Sequence, residues 1–155
     1  MKRVYVQAIA VAILPPIWAA LSTMFGFTTG AVALMTAGLV MISRDSGLAL
    51  SVGLLIGDIW GAVSFSLIAL APPSLNILAQ VIVLAIFGFL AVIINYYLRK
   101  VNMVSWFIGW ALTIQILSMT PKSKWPITVL MIGVSMLVGI YYIGYGIRYI
   151  MSRFG

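Results

Sequence analysis

The sequence contains no cysteine, no histidine and no glutamate, and its whole acidic complement is Asp45 and Asp58. Without cysteine there are no disulfides, no iron–sulfur clusters and no thiolate metal sites. Without histidine the usual haem and zinc ligand and the commonest general base are gone. Two carboxylates leave acid–base or metal-dependent catalysis almost nothing to work with. The chain is therefore read as a non-enzyme, with no metal and no cofactor. Any function must use backbone groups, hydroxyls, amides, aromatic rings and at most one Asp. Charge of either sign is scarce too, at 7% of residues against about 25% in an ordinary soluble domain.

What fills the space is apolar: 64% of the 155 residues are hydrophobic, and the mean hydropathy is +1.20. No soluble surface can be assembled from that composition, which excludes a water-soluble enzyme, a nucleic-acid-binding module and a disordered tail. The nine Lys and Arg give a net charge of +7. In a soluble protein that would point to nucleic acid. Here the basic residues are scattered between apolar blocks, so they are read as orienting the chain in a bilayer, and no nucleic-acid partner is expected.

A helical span needs about 20 apolar residues. Breaks at charges, Pro and Gly leave six candidates: roughly residues 5–24, 27–43, 47–70, 75–98, 102–119 and 126–150. The second is the shortest. The connections are very short, among them Arg44-Asp45-Ser46, Ala71-Pro72-Pro73-Ser74 and Arg99-Lys100-Val101. The expected fold is all-α, a polytopic bundle of six transmembrane helices forming a single integral membrane domain over residues 1–155. A five-span arrangement, with the second segment re-entrant or merged with the first, is the alternative. Lys2 and Arg3 before an apolar run resemble a signal peptide, but the Pro15-Pro16 pair interrupts that run, and it is read as the first span.

With six spans, Lys2, Arg3, Arg44, Arg99, Lys100, Arg148 and Arg153 fall on one side and only Lys122 and Lys124 on the other. This positive-inside bias places both termini in the cytoplasm, in the cell (inner or plasma) membrane. Tyr5, Tyr96, Tyr97, Trp106, Tyr145 and Tyr149 fall near the cytoplasmic ends, as an interfacial belt would. An even number of spans also invites a three-plus-three inverted repeat, for which the residues give little support.

Lipid offers helices no hydrophobic reason to associate, so small residues must let them approach. Gly53, Gly57 and Gly61 recur every four residues in the third span. Ser105, Gly109 and Thr113 do so in the fifth, and Ser135 and Gly139 in the sixth. The plain reading is helix packing; the functional one is a groove for a substrate or a partner helix. Pro15 and Pro16 sit in the middle of the first span, where each removes a backbone donor. They are read either as a packing kink or as a helix break of the kind transporters use at their sites.

Asp58 is the most informative residue. It lies near the centre of the third span, where an ionisable group costs about 2.5–3.5 kcal/mol and faces the bundle interior or water. No Lys or Arg lies at a similar depth, and burial without a counter-charge favours the neutral acid. Three readings stand: a proton or cation site in a transport path, a protonated donor holding the bundle together, or half of a pair with another subunit. Ser51 shares its helical face. Gln80 and Gln115, with Thr113, could line the same route, or the two amides could snorkel towards headgroups. Tyr141, Tyr145 and Tyr149 form a stripe whose inner member, Tyr141, needs a buried partner for its hydroxyl.

Ile17-Trp18 with Gly26 eight residues on, Gly47-Leu48, Trp60, Leu70-Ala71-Pro72 and Phe107-Ile108-Gly109 follow one another along the chain. In this order they resemble a family of small polytopic inner-membrane proteins of unknown function, over most of the length. The chain departs from that family's pattern at Arg44 to Gly47, where the family carries Pro-Gln-Gly-Gly, and in lacking a Pro-Gly pair before Phe107. The resemblance implies a membrane fold and no particular substrate. Two functions remain from the residues themselves. One is a small channel or transporter subunit, a homo-oligomer, for a solute, ion or proton. The other is a non-catalytic accessory subunit of a larger membrane complex.

Overall fold

Continuous apolar sequence leaves the backbone no hydrogen-bonding partner but itself, so the chain folds as helices throughout. The computed structural model describes residues 2–98 and 101–154, with Lys2 by its backbone alone. The helices are α1 (Lys2–Met24), α2 (Val32–Ile42), α3 (Gly47–Ile68), α4 (Asn76–Tyr97), α5 (Met103–Ser118), α6 (Trp125–Val138) and α7 (Tyr145–Phe154). A π-helical segment, Gly139–Gly144, joins α6 to α7 without interruption. The last expected span is thus one long helix with a widened turn in its middle.

Four of these segments are long and apolar enough to cross a membrane: Arg3–Met24, Gly47–Ile68, Pro73–Tyr97 and Lys122–Phe154. The other two are shorter. At 1.5 Å per residue, the 11 residues of α2 reach about 16 Å, roughly half of a ~30 Å hydrocarbon core. The expected second span began at residue 27, but Gly26 adopts φ +71°, which ends α1. Residues 25–31 then form a turn closed by Phe27 N–H on Ser22 O at 2.8 Å and Val32 N–H on Thr29 O at 3.0 Å. A glycine accepts the left-handed conformation without steric cost.

Of the two readings of Pro15-Pro16, the helix break does not occur. α1 runs through both residues as one helix. Proline's fixed φ is compatible with the α conformation, so the pair costs two N–H donors, and the ladder on either side carries the helix across.

The chain divides into two compact units, residues 1–51 with 130–155, and residues 52–129. The first therefore holds α1, α2, the opening turn of α3 and the chain from late α6 onward. The second holds the rest of α3, α4, α5 and the opening of α6. Each half of the sequence supplies two helices to its own unit and most of its third helix to the other.

In the first unit the short helix α2 is clamped onto the long C-terminal helix. A Cβ at Gly139 would collide with Thr36 Oγ1 and Ala33 O. The same closeness lets Thr36 Oγ1 reach Met136 O at 3.1 Å and Thr29 Oγ1 reach Ser135 Oγ at 3.1 Å. Trp18 is buried beside this pair with Ala10, Ala33, Ala37, Ile143 and Ile147, and its indole N–H donates to Gly30 O at 2.9 Å. The end of α2 is closed by Arg148, whose Nη2 donates to Val40 O and to Ser43 O, the latter at 2.6 Å. A guanidinium there satisfies the orphan carbonyls and complements the negative end of the helix dipole. Arg148, read from sequence as an orienting charge, is thus also the cap of the short helix. Arg99 and Lys100, two other orienting charges, and the side chain of Lys2 lie outside the described residues.

Candidate functional site

The second unit is built on close contact between α3 and α5. Gly57 lies against the α5 backbone: a Cβ there would overlap Trp106 O, with Trp110 N at 2.8 Å and Gly109 Cα at 3.0 Å. One turn on, a Cβ at Gly61 would meet Thr113 Cβ at 2.8 Å. One turn back, Gly53 faces Ser105 Oγ and Asn102 O, and Gly109 in turn faces Leu54 O. The two four-residue repeats of small residues therefore pack against each other. The start of α5 is fixed by Asn102, whose Oδ1 accepts from Ser105 N–H at 2.7 Å.

This approach brings Asp58 to Thr113. The carboxylate residue is 3% exposed, and its Oδ1 accepts from the Thr113 hydroxyl at 2.5 Å. One and a half turns further along α3, Ser64 Oγ accepts from the Trp110 indole N–H at 2.9 Å and donates to Gly61 O at 3.1 Å. A short polar ladder thus runs along the α3–α5 seam, with an acid at one position and neutral donors at the others.

A family model described as Protein of unknown function (DUF1097) matches residues 8–151. The chain belongs to the DUF1097 family. No curated protein and no solved structure matches it. With four helices able to span a bilayer, this DUF1097 chain is a helical membrane protein.

Of the polar residues proposed to line a route, the DUF1097 fold brings Asp58 and Thr113 together, with Gly57, Gly61 and Gly109 packed beside them. Ser51, two turns before Asp58, belongs to the first unit. Its Oγ donates to Gly47 O at 2.7 Å and lies 3.0 Å from the Tyr141 hydroxyl. Gln80 and Gln115 are exposed on the outer faces of α4 and α5, so neither lines a route with Asp58 within its unit. The reason is helical phase: Gln115 stands two residues from Thr113, on the opposite side of α5.

Tyr145, expected in the interfacial belt, is half-buried, and its hydroxyl accepts from Gly47 N–H at 2.7 Å, tying the start of α3 to the last helix. Trp106 is a clear departure from the belt. It is 1% exposed, because Gly53 and Gly57 draw its helix against α3, and its ring stands edge-on to Trp60 at 5.5 Å. Its indole N–H has no hydrogen-bond partner among the described residues. Tyr5, Tyr96, Tyr97 and Tyr149 are exposed.

Sequence reasoning missed Ser64, Trp110 and the capping role of Arg148. Ser64 lies three residues beyond Gly61 in the glycine repeat, and Trp110 lies next to Gly109. Those adjacencies were the available signal.

Proposed function

We propose that this DUF1097 protein is a small channel or transporter subunit that passes a small solute, ion or proton, with Asp58 in its path. The observation that carries the reading is a buried intramembrane carboxyl whose bonded partner is a neutral hydroxyl. An acid held by a cation would be a structural ion pair. An acid held by a threonine keeps the freedom to gain a proton or to hold a cation, since the hydroxyl can donate to the carboxylate and accept from the carboxylic acid. Ionisable groups inside a membrane are costly and mark ion or proton pathways.

Reconstitution tests it. Proteoliposomes carrying a proton gradient or a cation gradient should dissipate it faster than empty liposomes. Asp58→Asn, which keeps the size and an acceptor oxygen, should reduce that flux at least about tenfold. Equal flux from the protein and from empty liposomes removes the reading for that species. Equal flux from Asp58→Asn moves the path away from the carboxyl.

The orientation proposed with it has both termini in the cytoplasm of a cell membrane, supported by the distribution of basic residues. The absence of native cysteine gives a clean readout. Ser123→Cys should react with a membrane-impermeant maleimide on intact cells, and Ser46→Cys only after permeabilisation. The opposite labelling pattern would invert the topology.

A further inference from the structure

The second unit contains a pocket that the α3–α5 seam does not use. Its volume is about 510 Å³, and its lining includes Ala62, Ser66, Leu67, Leu70 and Leu117, with Lys122 and Trp125. A volume of this size suits a small organic ligand. The walls are mostly apolar, with Ser66 the one hydroxyl, and Lys122 is the one charged residue among those that line it.

The Lys122 end is built rather than incidental. The Trp125 indole N–H donates to Thr120 O at 2.9 Å. Its ring packs on Phe65 at 5.1 Å. The Lys122 ammonium stands over the same ring, 5.9 Å from its centre. Two contacts therefore fix the tryptophan, and its ring faces the cation. An indole wall beside an ammonium, with aliphatic side chains beyond, matches a molecule that has one anionic end and one apolar tail. Lys and Trp pairs of this kind favour the water–membrane boundary, where such molecules lie.

We propose that this pocket binds a single-chain anionic amphiphile, a long-chain carboxylate, with its head at Lys122 and its tail along Ala62, Leu67 and Leu117. A single ammonium matches a monoanion, and the volume accommodates one chain rather than the two of a membrane phospholipid. The proposal stands on the pocket and does not depend on transport through Asp58.

Full-length protein in nanodiscs of zwitterionic lipid provides the test, with a brominated fatty acid as quencher of tryptophan fluorescence. Quenching should saturate, and Trp125→Phe should remove a defined part of it, which locates the ligand. The brominated alcohol of equal chain length should bind about fivefold more weakly, the worth of an exposed ion pair near 1 kcal/mol. In Lys122→Gln the acid and the alcohol should bind alike. Three results would overturn the proposal: quenching that never saturates, quenching unchanged by Trp125→Phe, or equal binding of acid and alcohol to the wild type. Tighter quenching of Trp125 by a brominated anionic phospholipid than by the fatty acid would also overturn it, in favour of a two-chain lipid.

Discussion

Gly57→Ala should cost the protein about 3 kcal/mol, the upper end of the usual range for overpacking, and should lower its thermal midpoint by many degrees. One added methyl would overlap Trp106 O and stand 2.8 Å from Trp110 N and 3.0 Å from Gly109 Cα. All three are backbone atoms, so no side-chain rotation relieves the clash. α3 and α5 must separate, and the hydrogen bonds along their seam lengthen with them. The control is Gly38→Ala on α2, where a Cβ meets nothing within 4 Å. The same chemical change there should be neutral or stabilising by up to about 1 kcal/mol, because alanine restricts the unfolded chain and favours the helix. The five tryptophans make intrinsic fluorescence on heating in detergent a direct readout. Similar midpoints for the two variants would show that the seam is looser than its geometry.

Thr113→Val should destabilise by about 2 kcal/mol, within the cost of leaving a buried polar group without its partner. Valine keeps the shape that packs on Gly61 and removes the hydroxyl that donates to Asp58 Oδ1. The loss should depend on the acid. In an Asp58→Ala background Thr113→Val should cost much less, giving a coupling of about 1–2 kcal/mol between the two positions. Equal losses in both backgrounds would show that the hydroxyl serves some other group. This cycle also separates stability from flux, since Asp58→Asn retains an acceptor for Thr113 and should unfold close to the wild type while passing less solute. A variant that is equally stable and equally active would leave the carboxyl with neither role.

Much of the fold was legible because the bilayer imposes it. The third span was expected at roughly 47–70 and α3 covers Gly47–Ile68. The fourth was expected at 75–98 and α4 covers Asn76–Tyr97. Prolines at 72 and 73 and the polar turn at 43–46 stop helices by mechanisms that need no tertiary context. The second span was overextended because residues 27–31, apolar enough to continue a helix, instead form the turn that follows Gly26. At Pro15 and Pro16 the loss of two donors allowed either a kink or a break, and only the structure shows one helix continuing past them.

Asp58 was identifiable as a site residue because a charge among apolar residues stands out whatever surrounds it. Thr113, Ser64 and Trp110 did not stand out in that way. In an oily chain every helical face is apolar, so periodicity does not say which face is buried or against what. Gln115 and Thr113 looked equivalent as polar residues of one span, and only the phase of α5 against α3 separates them.

The sequence by itself determined a helical membrane protein, the limits of most of its helices, the glycine repeats that permit close approach, and the one acid buried in the membrane. The tertiary structure alone decided which repeat meets which, that Asp58 is held by Thr113, that Arg148 caps the short helix α2, and that each half of the sequence gives most of its third helix to the other unit. The physical reason is that span limits follow from the solvent, which acts on each residue locally. Pairing instead depends on contacts such as Asp58 with Thr113, 55 positions apart, which become neighbours only when the backbones fit.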